Sequence, residues 1–73
     1  MSNNEILIFR TSITERQDIE RIGVLFAQHP CIHKWNVDFE DWEKVLRIES
    51  QEITAARIIE LLRTLNIIAS ELE

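Results

Sequence analysis

Residues 32–49 read IHKWNVDFEDWEKVLRIE and begin with a stretch in which side chains alternate in character along the chain. Alternation with a period of two is typical of a β-strand, because successive side chains point to opposite faces of a sheet. The residues of this first stretch that share one face are His33, Trp35, Val37 and Phe39. The pattern therefore predicts a strand over residues 32–39.

A second alternating stretch follows at residues 44–49, with Leu46 and Ile48 on one face. The segment between the two stretches, residues 40–43, is polar apart from Trp42 and predicts a turn. The two strands and the turn together predict a β-hairpin with one apolar face. Trp42 has two open interpretations, since it can fold back on the sheet edge or anchor a partner.

Upstream of the hairpin, residues 5–11 contain a short apolar run that predicts another strand. Thr14 and Gln17 have the spacing of a capping box, which predicts that a helix starts at Thr14. Pro30 ends that helix, because proline has no N–H to continue it. The apolar residues with helical spacing in between are Ile19, Ile22 and Phe26.

Downstream of the hairpin, Thr54 is a suitable N-cap for a second helix. Asn66 stands where a helix commonly ends in a residue with positive φ. Residues 67–72 then predict a short last strand. The apolar stripe of the second helix consists of Ala55, Ile58, Ile59, Leu62 and Leu65.

The predicted element order is β-α-β-β-α-β, and right-handed crossovers place both helices on one side of the sheet. We therefore expect an α+β, ferredoxin-like sandwich with a four-stranded antiparallel sheet. The other face of that sheet should lie largely open. With 73 residues, we expect one domain spanning residues 1–73.

Charge and composition exclude several functions. The net charge is −5, which argues against a nucleic-acid partner held by basic residues. No apolar run approaches the roughly 18 residues of a membrane helix, so membrane insertion is not expected. The first residues resemble no signal peptide, and Cys31 is the single cysteine, so we expect a cytoplasmic protein.

Two stretches of the chain carry a family resemblance. Residues 35–40 lead through the turn into residues 44–48, and the second helix is followed by Asn66 and a short strand. In these features, and over nearly its whole length, the chain resembles the heavy-metal-associated domain family. These are small copper-chaperone-like domains that are also found at the N-termini of metal-pumping ATPases.

The resemblance draws attention to the loop between the first strand and the first helix, where the family carries Met-x-Cys-x-x-Cys. Residues 10–15, RTSITE, contain no cysteine, and the match places Ser12 and Glu15 near the two thiol positions. Hydroxyl and carboxylate oxygens suit soft Cu(I) poorly. We therefore expect no metal and no cofactor at this loop.

The resemblance also implies a docking surface, because family members dock around that loop. The expected function is therefore binding to an unidentified protein partner, or self-association. The candidate interaction residues are Thr11, Ser12, Thr14 and Arg16.

An alternative function is metal binding at a relocated site. His29, Cys31 and His33 offer three borderline or soft ligands within five residues. In an extended segment, Cys31 and His33 would project to the same side. A helix-to-strand connection that merely contains them, with an inert thiol, is the other interpretation.

Nothing in the sequence indicates catalysis, and we expect no enzyme. None of the serines lies in a G-x-S-x-G motif, and the single glycine, Gly23, cannot build a phosphate-binding loop. For the same reason, a ligand-binding regulatory module with glycine-containing loops is disfavoured. A nucleic-acid platform around Trp35 would need more basic neighbours than Lys34 and Arg47.

Overall fold

The computed structural model describes residues 4–72 and contains six elements in the predicted order. The elements are β1 Glu5–Thr11, α1 Arg16–Ala27, β2 Ile32–Asp38, β3 Val45–Ser50, α2 Ala55–Arg63 and β4 Ala69–Glu71. Every neighbouring pair of strands is antiparallel, and the strand order across the sheet is β2-β3-β1-β4. This arrangement confirms the predicted ferredoxin-like fold.

The ends of α2 are as predicted. The Thr54 hydroxyl accepts a hydrogen bond from the Arg57 N–H at 3.1 Å, which satisfies one of the free donors of the first turn. After the helix, Asn66 has a φ of 61°, a left-handed conformation that asparagine tolerates better than most residues. Local signals were sufficient here because both caps act within a few residues of the helix.

The predicted start of α1 was wrong. Helix α1 begins at Arg16, and the N-cap position is held by Glu15, whose side chain makes no capping bond. The Thr14 N–H instead points to an oxygen of the Asp18 carboxylate at 3.5 Å. In a capping box, the Gln17 side chain would accept a hydrogen bond from the Thr14 N–H. In the structure, the Asp18 carboxylate is the group that approaches this N–H instead.

The buried core lies between the helices and one face of the sheet. Trp35 closes one side of this core by packing edge-on against Phe26, with ring centroids 5.6 Å apart. Burial of these apolar side chains is the main favourable term for a domain of this size. The buried residues of the cluster are Phe9, Ile13, Ile22, Phe26, Ile32, Leu46, Ile48, Ile58, Leu62, Ile67 and Ala69.

The prediction that His33 shares a face with Trp35 was wrong, because β2 contains a β-bulge. Ile32 pairs with Ser50, while Lys34 pairs with Glu49, so His33 is an extra residue in the ladder. Ile32 is therefore buried on the same side as Trp35, and His33 is exposed. The simple alternation failed because a bulge shifts every residue on one side of it to the opposite face.

Within the part of the chain that the structure describes, no helix lies on the opposite face of the sheet. Ile6 is 44% exposed there, and on the two central strands Ile8 pairs with Arg47. Across the next pair of strands, Asn36 lies opposite Arg47 and Lys34 opposite Glu49. Within residues 4–72, none of the helices has the length and apolar character needed to cross a membrane.

Candidate functional site

The loop between β1 and α1, residues 12–15, lies at the same end of the sheet as the hairpin turn. The contact is direct, because the Thr11 N–H donates to the Glu43 carbonyl at 3.1 Å. The Thr11 hydroxyl also donates to the Lys44 carbonyl at 2.6 Å. Thr11 therefore fixes the start of the loop against the turn, and its hydroxyl is already engaged.

Ser12 fixes the other side of the loop. Its N–H donates to the Ile68 carbonyl, and its hydroxyl oxygen accepts a hydrogen bond from the Ile68 N–H, both at 2.9 Å. This pair of bonds joins the loop to the segment that precedes β4. At one of the two positions where the family resemblance implies a thiol, the chain thus has a hydroxyl with a structural role.

Ile13 is a residue of the loop whose role the sequence analysis missed. Its side chain is only 2% exposed and belongs to the core cluster. The available signal was an isolated apolar residue in a polar stretch between a strand and a helix. Because the Ile13 side chain is buried in the core, the loop is anchored at its middle as well as at its two ends.

Helix α1 connects this loop to the end of α2. Asp18 approaches the Thr14 N–H, and its second oxygen forms a salt bridge with Arg21 at 3.3 Å. Arg21 also donates to the Leu65 carbonyl at 3.0 Å, beyond the last turn of α2. These exposed contacts add modestly to stability but define the position of the loop relative to both helices.

Two cations pack on one aromatic ring at the same end. The Arg16 guanidinium lies 5.0 Å from the centre of the Phe39 ring, and the Lys44 ammonium lies 5.3 Å from it. Such contacts hold a cation in place while leaving hydrogen-bonding groups free for a partner. Arg16 is exposed, so its charge is presented to solvent beside the loop.

The structure brings the four predicted interaction residues together at this end. Ser12, Thr14 and Arg16 are exposed, whereas Thr11 is half-buried. Glu15, the second position matched to a family thiol, is exposed and serves as the N-cap residue of α1. Because the hydroxyls of Thr11 and Ser12 are engaged within the fold, the loop end offers a ligand the Thr14 hydroxyl, the Glu15 carboxylate and the Arg16 guanidinium.

Two exposed apolar residues flank the loop end. Trp42 in the hairpin turn is 85% exposed. The interpretation in which it folds back on the sheet edge was therefore wrong. Ile68 is 70% exposed and was missed by the sequence analysis. In the sequence Ile68 is indistinguishable from Ile67, which is buried, because only the direction of β4 separates them.

The residues of the alternative metal site lie at the opposite end of the sheet, around the start of β2. Cys31 precedes the strand in a turn and packs against the core, while the bulge leaves His33 exposed, where its Nε2 lies 3.3 Å from the Gln51 side-chain oxygen. In the described part of the chain, residues 4–72, no three His, Cys, Asp or Glu side chains are grouped so that they could hold a metal ion. His29, Cys31 and His33 are thus not brought together.

Comparisons with known proteins add a likeness in structure. No family model matches this sequence, and no curated protein matches it significantly. A solved structure, the apo form of the HMA domain of the copper chaperone for superoxide dismutase, aligns with a TM-score of 0.82 and 11% sequence identity. The alignment covers 99% of this chain and 70% of that one. At this identity the likeness concerns the backbone, and we conclude that the chain has the fold of a heavy-metal-associated domain.

Proposed function

We propose that this chain is a non-catalytic, cytoplasmic interaction domain, with the scaffold of a heavy-metal-associated domain and a degenerate metal loop. One observation carries the proposal. The loop keeps its place between β1 and α1, yet Ser12 there uses its hydroxyl to hold Ile68 at 2.9 Å. A position that would serve a metal in the family serves the fold in this chain.

The remaining groups of the loop support a docking function. Thr14 and Arg16 are exposed on a loop that is anchored by Ile13, Thr11 and Ser12. Side chains on a fixed backbone lose less conformational entropy on binding than side chains on a flexible loop. The partner is a protein that binds at this end of the sheet.

The docking proposal is tested by affinity capture from the source cells with the wild-type chain and the Arg16→Glu variant. We expect a partner that the wild-type chain retains and that Arg16→Glu loses, because the substitution reverses the exposed charge beside the loop. Arg57→Glu is the matched control, since it makes the same charge change in the first turn of α2, at the other end of the domain. A partner that both variants retain, or that both lose, would contradict docking at the loop.

The degenerate metal loop gives a separate expected outcome. With Cys31 alkylated, the wild-type chain should take up no Cu(I) in competition with a chelator, because oxygen ligands suit this soft ion poorly. The double variant Ser12→Cys with Glu15→Cys should gain tight binding of one Cu(I). Tight Cu(I) binding by the wild-type chain with Cys31 alkylated would show that the loop is not degenerate.

A further inference from the structure

The sheet has two edge strands, β2 and β4, and they differ in how open they are to another strand. The bulge at His33 interrupts the ladder of β2, and Lys34 follows it, two features that oppose strand addition. Along β4 the pairing with β1 is regular, and the strand contains no lysine or proline. Among the described residues, no strand pairs with the outer side of β4. Its shortness and the charge of Glu71 weaken pairing at this edge but do not block it.

The backbone groups that β4 offers at this edge belong to Ala69 and Glu71. The Ile68 carbonyl accepts a hydrogen bond from the loop before α1 at 2.9 Å, and the Leu72 N–H donates to β1 at 2.7 Å. Residues 68 and 72 therefore direct these backbone groups inward. Because the direction alternates along a strand, the N–H and C=O groups of Ala69 and Glu71 point outward. The edge thus presents the donors and acceptors of these residues to solvent.

The side chains of Ile68, Ser70 and Leu72 share one side of this segment, because side chains alternate with a period of two. Ile68 is 70% exposed and Leu72 is half-buried, so a large apolar side chain stands in solvent where the edge begins. Beside Ile68 lies a depression of about 230 Å³. An apolar side chain placed opposite Ile68 would bury surface that the monomer leaves in water. The residues that line the depression are Arg10, Thr11, Ser12, Ile68 and Ser70.

We propose that the strand added at this edge is β4 of a second copy of the chain, antiparallel to the first, with a two-fold axis at Ser70. In this register Ala69 lies opposite Glu71 of the second copy, and the outward backbone groups of both copies form about four hydrogen bonds. Ile68 lies opposite Leu72 of the second copy, and the axis makes the same contact twice. The edge is complementary to itself in its backbone and in its side chains. This property selects a second copy as the occupant.

The neighbouring registers of the same pair lack this complementarity. Placing Glu71 opposite Glu71 of the second copy brings two carboxylates together across the strands, which is destabilising. Placing Ala69 opposite itself brings Glu71 to Ile67 of the second copy, whose N–H already donates to the Leu62 carbonyl at 3.1 Å. The register centred on Ser70 is the one that uses both outward residues without these conflicts.

The dimer joins the two sheets edge to edge, so that the helices of both copies lie on one side of a continuous sheet. Each copy carries a net charge of −5 and the paired segment is short, so we expect weak association that depends on screening by salt. The interface is the edge of β4, and it does not rest on docking through Thr14 and Arg16.

The test is sedimentation equilibrium of the whole chain from about 10 μM to about 1 mM protein, a range that detects weak dimers. We expect the wild-type chain to dimerise and Ile68→Lys to raise the dimer Kd at least about tenfold, because a charge replaces the apolar contact with Leu72. Val24→Lys is the matched control, because Val24 is 67% exposed on α1, in the other layer of the domain. It makes the same change of net charge and should leave the Kd unchanged.

A second pair of variants separates backbone pairing from charge. Glu71→Pro removes an outward N–H, which an edge strand tolerates on its solvent side, and should raise the Kd at least about tenfold. Glu71→Ala removes the same carboxylate but keeps the N–H. It should therefore leave the Kd unchanged or lower it.

Hydrogen exchange of the wild-type chain, followed by NMR, does not depend on the folding of any variant. The Ala69 and Glu71 amides should gain protection as the concentration rises, whereas the Ser70 amide, which faces β1, should keep its protection throughout. A chain that stays monomeric to about 1 mM would overturn the proposal. So would a dimer in which neither outward amide gains protection, or whose Kd neither Ile68→Lys nor Glu71→Pro raises. None of these results would affect docking at the loop, which Arg16→Glu tests separately.

Discussion

The two faces of the sheet differ sharply although they are built from alternate residues of the same strands. On β3, Leu46 and Ile48 are fully buried under the helices, while their neighbours Val45 and Arg47 lie on the open face. The covered face holds the domain together, because nearly all of the apolar burial is there. The open face is therefore free to carry side chains whose role is recognition.

The largest effect should come from removing a side chain on the helix side. Ile58→Ala should lower the free energy of unfolding by about 2–5 kcal/mol, because Ile58 is fully buried in α2 and the substitution leaves a cavity. Ile6→Ala removes the same atoms from the open face and should cost less than about 1 kcal/mol. Urea denaturation of the two variants measures the difference directly.

Equal losses for Ile58→Ala and Ile6→Ala would break this comparison between the faces. They would mean that the open face is covered in solution.

A smaller effect, of opposite sign, should come from Ser50 on the covered face. Its hydroxyl is fully buried and has no hydrogen-bond partner among the described residues. Ser50→Ala removes this unsatisfied group and should stabilise the domain by about 1 kcal/mol. A thermal melt that shows a loss of stability would reveal a partner for this hydroxyl.

The smallest effect is expected at Asn66, where the chain leaves α2 and directs Ile67 into the core and Ile68 to solvent. Because Asn66 has a positive φ, Asn66→Gly should be neutral or stabilising by a few tenths of a kcal/mol. Asn66→Ala, the control, should cost about 1 kcal/mol, since alanine adopts this conformation with strain. A clear loss for the glycine variant in chemical denaturation would indicate that the Asn66 side chain itself stabilises the turn.

Much of the architecture was predictable from local pattern. The alternation at Leu46 and Ile48, the N-cap at Thr54 and the positive φ at Asn66 each depend on residues that are close in sequence, and each is confirmed. The assembly of Thr11 to Arg16 at one end also followed from the element order, because strand ends and helix starts meet there in this topology.

Long-range contacts account for what local pattern missed. The bulge at His33 depends on how β2 aligns with β3. The start of α1 is an exception, because the Thr14 N–H is directed at Asp18, only four residues along the chain, and the capping-box pattern misjudged a local contact. The use of the Ser12 hydroxyl depends on Ile68, which lies 56 positions further along the chain. Periodicity in a sequence specifies which side of an element is apolar, whereas register, burial of a single loop residue such as Ile13, and the exposure of Trp42 are set when distant segments pack together.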